Sequence, residues 1–379
     1  MGREKKHGKN SKKGKNKGHD DNGNRMRVIL DKGHFIEGEL ITGRVELEVQ
    51  TPVMAHELMI KFQGYEKAAW EEEVTHTEDD RTWSEWEEHE GDKDFFKEKV
   101  TLFQCAGQGF APGTWIYPFQ LTLPMGLPGS FYQKGGENSA SVKDLKGKVR
   151  YKIKAKLSGY KDMQAKTEVM VFERVDHAVT PEAKMKEGQV CCLCCIPRGK
   201  VTLTARFDKN AYIAGETAQI LVDCRNESGV NIDDTVCKLM CTITLEDEHG
   251  YGSYHDVSTI CESKFPGCES GKTFENLYCP LPIPMGIQPS SEAKYVECKY
   301  HIDIEAQVPW APDIEIHLPI TLYAPLAGYD VPSFAAAPPP QMLHQPTTPV
   351  DMYAAAPPSQ QEMVSQPAGY PQYPGGGHV

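Results

Sequence analysis

The feature that most constrains the fold is a long internal repeat. Residues 30–39 realign with residues 207–216 at a constant offset of 177. Both copies read as an apolar residue, Asp-Lys, two turn residues, an aromatic-Ile pair, one variable residue and Gly-Glu. A second match follows in the same order, because Leu123-Pro124 precedes residues 150–153 as Leu281-Pro282 precedes residues 299–302. Solenoid units run about 20–50 residues, so a period this long indicates a duplicated domain.

Between the two ends of the chain the hydrophobic residues recur with a period close to two. Val45, Leu47 and Val49 alternate with charged neighbours, and the same alternation returns at residues 149–157 and 314–322. A period of two is typical of half-buried β-strands. Long amphipathic helical patterns are missing, and Gly, Pro and Asn separate the apolar runs. The sequence therefore predicts an all-β protein built from two tandem antiparallel β-sandwich domains.

Composition divides the 379 residues into five segments. Residues 1–25 are rich in Lys, Gly and Asn and offer almost nothing to bury, which predicts a disordered tail. Residues 326–379 are rich in Pro, Ala and Gln, which predicts a second disordered tail of polyproline character. The predicted sandwiches cover residues 26–175 and 199–325, and a cysteine-containing linker at 176–198 joins them. The basic first tail could be drawn to anionic lipid or serve as a nuclear address, and both readings stay open.

Charge and hydropathy limit the functional class. No stretch approaches the roughly 20 apolar residues that a membrane-spanning helix needs, and no apolar signal core follows the N-terminus. We therefore expect a cytoplasmic protein, whose twelve cysteines are free thiols, lipidation sites or metal ligands and not disulfides. A formal net charge of −12 argues against general nucleic-acid binding.

Short motifs in a fixed order carry a resemblance to a known family. In the first half they are Gly38-Glu39-x-x-x-Gly43-x-Val45-x-Leu47, Ile60-x-x-x-Gly64, Pro118-Phe119-x-Leu121-x-Leu123-Pro124, Pro128-x-Ser130-Phe131 and Val149-Arg150-Tyr151. In the second half they are Gly199-x-Val201-x-Leu203, Tyr212-x-x-Gly215-Glu216 and Leu318-Pro319-Ile320. Their order over residues 26–325 resembles that of the arrestin-domain-containing proteins, also called alpha-arrestins.

The resemblance implies two immunoglobulin-like sandwiches joined by a short hinge, without catalytic activity or a cofactor. It also implies a trafficking adaptor at the plasma membrane or endosomes, whose sandwiches bind membrane-protein cargo and whose tail recruits WW-domain ubiquitin ligases through Pro-Pro-x-Tyr. That motif is absent here. The sequence nearest to it is Tyr370-Pro371-Gln372-Tyr373. A second segment, Pro346-Thr347-Thr348-Pro349, approximates the motif that binds endosomal sorting proteins. The alternatives are a coat subunit similar to the arrestin-shaped member of retromer, or a lipid-anchored binding module.

A cysteine run lies in the predicted linker, at Cys191, Cys192, Cys194 and Cys195. S-acylation is one reading, because cysteines beside basic and apolar residues suit a lipid anchor. Zinc binding is a second reading, although zinc ligands usually come from two separated pairs and no partner block stands nearby. The third reading is that these are small apolar linker residues. We expect no metal site, and the other two readings stay open.

A ridge of positive charge alternates with the apolar residues of one predicted strand. It consists of Lys148, Arg150, Lys152, Lys154 and Lys156. Such a ridge could bind phosphate on a cargo tail or on an anionic lipid headgroup, and a solvated lysine face is the simpler alternative. Residues 71–94 carry the opposite charge and contain Trp83 and Trp86, which predicts either an interaction loop or a charged hairpin. Catalytic motifs such as a phosphate-binding glycine loop or His-Glu-x-x-His are missing, so an enzyme is not expected.

Overall fold

The computed structural model describes residues 18, 23–79, 81–104, 109–135, 141–159, 162–175, 178–192 and 196–324. All regular structure in these residues is β-strand. Among them there is no helix long and apolar enough to cross a membrane. The two predicted disordered tails lie almost entirely outside the described residues, as do Cys194 and Cys195.

The described residues of the first half form two packed sheets. The strands are β1 (Arg25–Leu30), β2 (His34–Ile36), β3 (Leu40–Val49), β4 (Ala55–Glu78), β5 (Arg81–Gln104), β6 (Gly113–Thr122), β7 (Phe131–Lys134), β8 (Val142–Gly159) and β9 (Met163–Phe172). One sheet has the order β1-β3-β6, and the other has the order β2-β9-β8-β4-β5 with β7 also paired to β8. Every pairing is antiparallel except that of β2 with β9.

The described residues of the second half repeat this plan. The strands are β10 (Lys184–Cys192), β11 (Ile196–Phe207), β12 (Ala211–Ile213), β13 (Thr217–Ala218), β14 (Ile220–Ser228), β15 (Asp234–Glu246), β16 (Ser253–Pro266), β17 (Thr273–Tyr278), β18 (Leu281–Pro282), β19 (Ser291–Glu292), β20 (Val296–Ala306) and β21 (Ile314–Tyr323). The larger sheets have the orders β10-β11-β14-β17 and β12-β21-β20-β15-β16. β12 runs parallel to β21, just as β2 runs parallel to β9.

The predicted alternation of strand residues places the core. On β8, the alternate residues from Val149 to Leu157 are at most 1% exposed, while the lysines between them reach solvent. On β20 the equivalent positions Ile302 and Ile304 are completely buried. Both sheets of each half contribute such side chains to the hydrophobic core. The prediction of an all-β chain with two tandem sandwich domains is confirmed.

The internal repeat produces the same contacts twice. In the first copy the Lys32 ammonium group lies 2.7 Å from the Glu39 carboxylate, which also accepts the Ile36 backbone N–H at 2.8 Å. The second copy forms the matching contacts at 2.7 and 2.9 Å, through Lys209, Glu216 and Ile213. The carboxylate of each Gly-Glu step therefore closes the turn that follows β2 or β12, which explains why Glu is repeated with the turn.

The glycine of each repeated turn has a left-handed backbone, with φ of 78° at Gly38 and 94° at Gly215. A Cβ atom there would also overlap the sulfur of Met125 or Met285. We predict that Gly38→Ala and Gly215→Ala each lower the free energy of unfolding by about 1–2 kcal/mol. Urea unfolding would measure this change.

Gly33 is the matched control for these substitutions. It lies in the same first-half repeat, has no positive φ, and a Cβ atom there meets nothing within 4 Å. Gly33→Ala is expected to change stability by less than about 0.5 kcal/mol. Equal losses at all three glycines would contradict the proposed role of the left-handed turns.

The two halves contact each other through buried polar groups. The Glu66 carboxylate of β4 accepts the backbone N–H groups of Tyr295 at 2.7 Å and Lys294 at 3.3 Å. Burial raises the pKa of the Glu66 carboxyl group. The Ser291 hydroxyl also donates to the Gly129 carbonyl at 2.7 Å. Because these groups have satisfied hydrogen bonds inside the contact, we expect the relative position of the sandwiches to be specific.

Part of the range predicted as a linker is a strand. β10 pairs antiparallel with β11 and forms an edge of the second sandwich. Before β10, the described residues of that range are 178–183, and these lie outside regular structure. The domain boundaries drawn from the sequence remain a prediction.

Candidate functional site

The outer side of the larger first-half sheet carries a broad positive surface. We call it the basic face, and it consists of Lys61, Lys97, Lys99, Lys148, Arg150, Lys152, Lys154, Lys156 and Lys166. Four adjacent strands, β5, β4, β8 and β9, supply these residues. On β4 and β8 each cation lies between buried neighbours, and the exposed cations of β5 and β9 reach the same side through strand pairing. The five residues of the predicted ridge thus lie on one wider surface.

Four lysines of this face form a straight line across the strands. Lys61 on β4 pairs with Lys99 on β5 and with Lys154 on β8, and Lys154 pairs with Lys166 on β9. We call these four residues the lysine row. Side chains directly opposite each other have Cβ atoms about 4.5–5.5 Å apart, and like charges at such positions destabilise a sheet. The row is therefore unfavourable for folding, which favours a role in binding.

Burial and neighbouring positive charges lower the pKa values of two lysines on the face. Burial, and then repulsion from Lys146 and Arg150, lowers the pKa of Lys148 to about 8. Burial also lowers the pKa of Lys61, and the charge of Lys97 lowers it further. A bound anion would stabilise the charged forms of these lysines. The face is therefore a candidate site for anions.

Some cations of the face already have partners in the sheet. Arg150 forms an ion pair of 2.7 Å with Glu168, and Lys156 forms one of 2.7 Å with Asp162. The ammonium groups of Lys148 and Lys152 lie 4.9 and 4.4 Å from the centre of the Tyr65 ring. In contrast, no carboxylate of the described residues forms an ion pair with the lysine row. The row therefore holds the charge that is most available to an external anion.

Comparisons with known proteins match both halves of the chain. Residues 26–178 match the family model "Arrestin (or S-antigen), N-terminal domain", and residues 197–326 match "Arrestin (or S-antigen), C-terminal domain". The chain belongs to the arrestin family. The predicted resemblance to arrestin-domain-containing proteins is confirmed, and an adaptor type of role is the one that this family suggests.

Two relatives of this arrestin-family chain are similar over most of its length. The "Arrestin domain-containing protein A" of Dictyostelium discoideum is 29% identical over 327 residues, which cover 83% of this chain and 53% of that protein. The human "Arrestin domain-containing protein 1" is 23% identical over 292 residues, which cover 76% of this chain and 62% of that protein. The matched region thus spans a little more than half of each relative.

The cysteine run of this arrestin-family chain lies at the β10–β11 hairpin. Cys191 pairs with Pro197 and Cys192 with Ile196, whose side chain is 50% exposed. Cys191 is partly exposed, and residues 193–195 lie outside the described part of the chain. The acylation reading therefore stays a prediction. The tail-docking candidates are likewise outside the described residues: Pro346, Pro349, Tyr370, Pro371 and Tyr373.

The acidic run forms a hairpin, which is the second of its two predicted alternatives. Its residues lie in β4 and β5. The pairing of these strands continues without interruption from the Ala69–Glu90 pair to the Glu78–Arg81 pair. Trp70 is buried and stacks on His89 with ring centres 4.8 Å apart. Trp83 and Trp86 are 43% and 40% exposed. The acidic residues therefore belong to the same sheet as the basic face, at its other end.

Proposed function

We propose that this arrestin-family protein is a non-enzymatic adaptor that docks on anionic membrane surfaces through its basic face. Docked in this way, it would link membrane-protein cargo to the sorting machinery at the cytoplasmic side of the plasma membrane or endosomes. The lysine row is the observation that supports the proposal. Its four like charges lie opposite one another without carboxylate partners among the described residues. Such a cost to folding is offset when the anions of a membrane neutralise the row.

The chemistry of the face favours a membrane over a phosphorylated peptide. Specific phosphate recognition usually employs arginine, whose planar group binds two phosphate oxygens at once. Arg150 is the single arginine of the basic face, and Glu168 already binds it. Lysines act as point charges without such geometry, and they are spread here over four strands of one sheet. A broad lysine surface suits an extended layer of lipid headgroups.

Vesicle sedimentation of the full chain tests this proposal. We expect the protein to sediment with vesicles that contain phosphatidylserine and to stay in solution with pure phosphatidylcholine vesicles. Each lysine near an anionic membrane contributes about 1 kcal/mol, and salt screens that attraction within a Debye length of about 10 Å at 0.1 M. Binding should therefore fall steeply as salt rises. Equal sedimentation with neutral and anionic vesicles would contradict the proposal.

The tail distinguishes an adaptor from a coat subunit. We propose that residues 346–349 or 370–373 dock endosomal sorting proteins or a WW-domain ubiquitin ligase, since polyproline segments lose little entropy on binding. Proximity labelling with the intact chain and with a chain lacking residues 326–379 would compare the partners. Loss of sorting partners on deletion supports the adaptor, whereas an unchanged set of partners favours a coat subunit that binds through its sandwiches.

A further inference from the structure

Two histidines and an aspartate meet on the outer face of the second sandwich. His301 and Asp303 alternate on β20, so they lie on one face of that strand. His317 on β21 is the direct cross-strand partner of Asp303. The sequence patterns His-x-Asp and Glu-x-His thus bring three side chains together only after the two strands pair.

The distances between these groups suit one metal ion. His301 Nε2 lies 3.4 Å from one Asp303 carboxylate oxygen, and His317 Nδ1 lies 2.5 Å from the other. One ligand atom of each residue lies within 4.8 Å of both others. Ligands of a tetrahedral zinc ion, bound at about 2.0–2.2 Å, are separated by roughly 3.4 Å. The three donors therefore need only small side-chain rotations to coordinate one ion.

We propose that His301, Asp303 and His317 bind a Zn²⁺ ion that joins β20 to β21. Two imidazoles and one carboxylate are the donor types that zinc prefers, whereas calcium and magnesium prefer oxygen ligands alone. This proposal is independent of membrane docking, because the three residues lie on the other sandwich from the basic face.

The surroundings of the three residues also fit a bound cation. If His317 coordinates through Nδ1, its Nε2 atom lies 3.6 Å from the Glu315 carboxylate, slightly beyond the distance of the outer hydrogen bond that metal-bound histidines usually make. On β15, Lys238 is the cross-strand partner of Asp303, and its ammonium group is held by Glu305 at 2.6 Å. The Lys184 ammonium group is bound to the His317 carbonyl oxygen at 2.8 Å. The carboxylates of Asp303, Glu305 and Glu315 outnumber the ammonium groups of Lys184 and Lys238. The next cation along β20, Lys299, is paired with Glu297, so the local charge favours a cation.

The two histidine ligands of the proposed site border a cleft. Both imidazoles line a cavity of about 660 Å³, whose other lining residues include Thr242, Lys299 and Glu292. Three protein ligands leave a fourth position on zinc for water or an external ligand. The site therefore resembles an accessible metal centre more than a closed structural one.

Zinc titration of the chelator-treated full chain tests the site. We expect one equivalent of Zn²⁺ to bind with a rise in the melting temperature, and Co²⁺ to give the visible bands of tetrahedral nitrogen and oxygen coordination. His301→Ala and His317→Ala should each weaken Zn²⁺ affinity at least about 100-fold, since even outer-shell changes cost 10–100-fold. His317 is 56% exposed, so its replacement removes little packing, and circular dichroism would verify the fold.

Two control variants distinguish this site from other metal-binding side chains of the protein. His255→Ala removes an exposed histidine of β16 and should leave Zn²⁺ affinity unchanged. Replacement of Cys191, Cys192, Cys194 and Cys195 by serine should leave the one equivalent of Zn²⁺ at His301 and His317 bound with unchanged affinity. Absence of zinc binding in the wild-type chain, or equal affinity in the wild type and in His317→Ala, would overturn the proposal.

Discussion

Reversal of three charges in the lysine row, by Lys61→Glu, Lys154→Glu and Lys166→Glu together, is expected to weaken binding to phosphatidylserine vesicles at least about 100-fold. Each lysine near an anionic membrane contributes about 1 kcal/mol, so loss of three contributions alone lowers affinity by about two orders of magnitude. The new carboxylates would add repulsion. These side chains reach solvent from the sheet surface, so the fold itself should persist.

The matched control changes net charge by the same amount elsewhere. Lys186, Lys264 and Lys272 are exposed on the second sandwich, and their joint replacement by Glu lowers the net charge by the same six units. If position on the basic face matters, this control should bind anionic vesicles far better than the lysine-row variant. Similar losses in both variants would show that only net charge governs binding.

Replacement of either repeated tyrosine by alanine is expected to destabilise its sandwich by about 3–5 kcal/mol. Tyr151 and Tyr300 occupy matching positions in the duplicated strands, and they are 1% and 4% exposed. The Tyr151 hydroxyl donates to the Pro128 carbonyl at 2.6 Å, and the Tyr300 hydroxyl donates to the Gln288 carbonyl at 2.8 Å. Removal of a buried aromatic ring leaves a cavity, which lowers the free energy of unfolding by about this amount. Chemical denaturation of each single variant would measure the loss.

Phenylalanine variants separate the ring from its hydroxyl. Tyr151→Phe and Tyr300→Phe keep the packing but leave a buried carbonyl without its donor, which costs about 1–3 kcal/mol. Burial also raises the pKa of both phenols, so neither should ionise until its sandwich unfolds. A wild-type unfolding curve for either alanine variant would contradict the assigned role of these residues.

The sequence predicted those features that depend on local pattern. Alternation from Val149 to Leu157 identified the buried side of β8, and the repeat of residues 30–39 at 207–216 identified two related domains. The same repeated residues also determine the Gly-Glu turns. In each case the evidence lies within a short segment or in its copy.

Features that depend on strand pairing could not be predicted in the same way. The ridge on β8 was visible in one strand, but Lys61, Lys99 and Lys166 joined it only through the registers of β5, β4, β8 and β9. The contact of His317 with Asp303 likewise depends on the β20–β21 register. Pairing is a non-local property, and a one-residue shift moves a side chain to the other face.

Lysine footprinting of the wild-type chain tests membrane docking through the basic face most directly. Acetylation would be measured residue by residue with and without phosphatidylserine vesicles, with Lys186, Lys264 and Lys272 as internal references. We predict that Lys61, Lys154 and Lys166 become protected on vesicle binding while the reference lysines react as before. Vesicle binding that leaves the lysine row as reactive as the reference lysines would contradict the account.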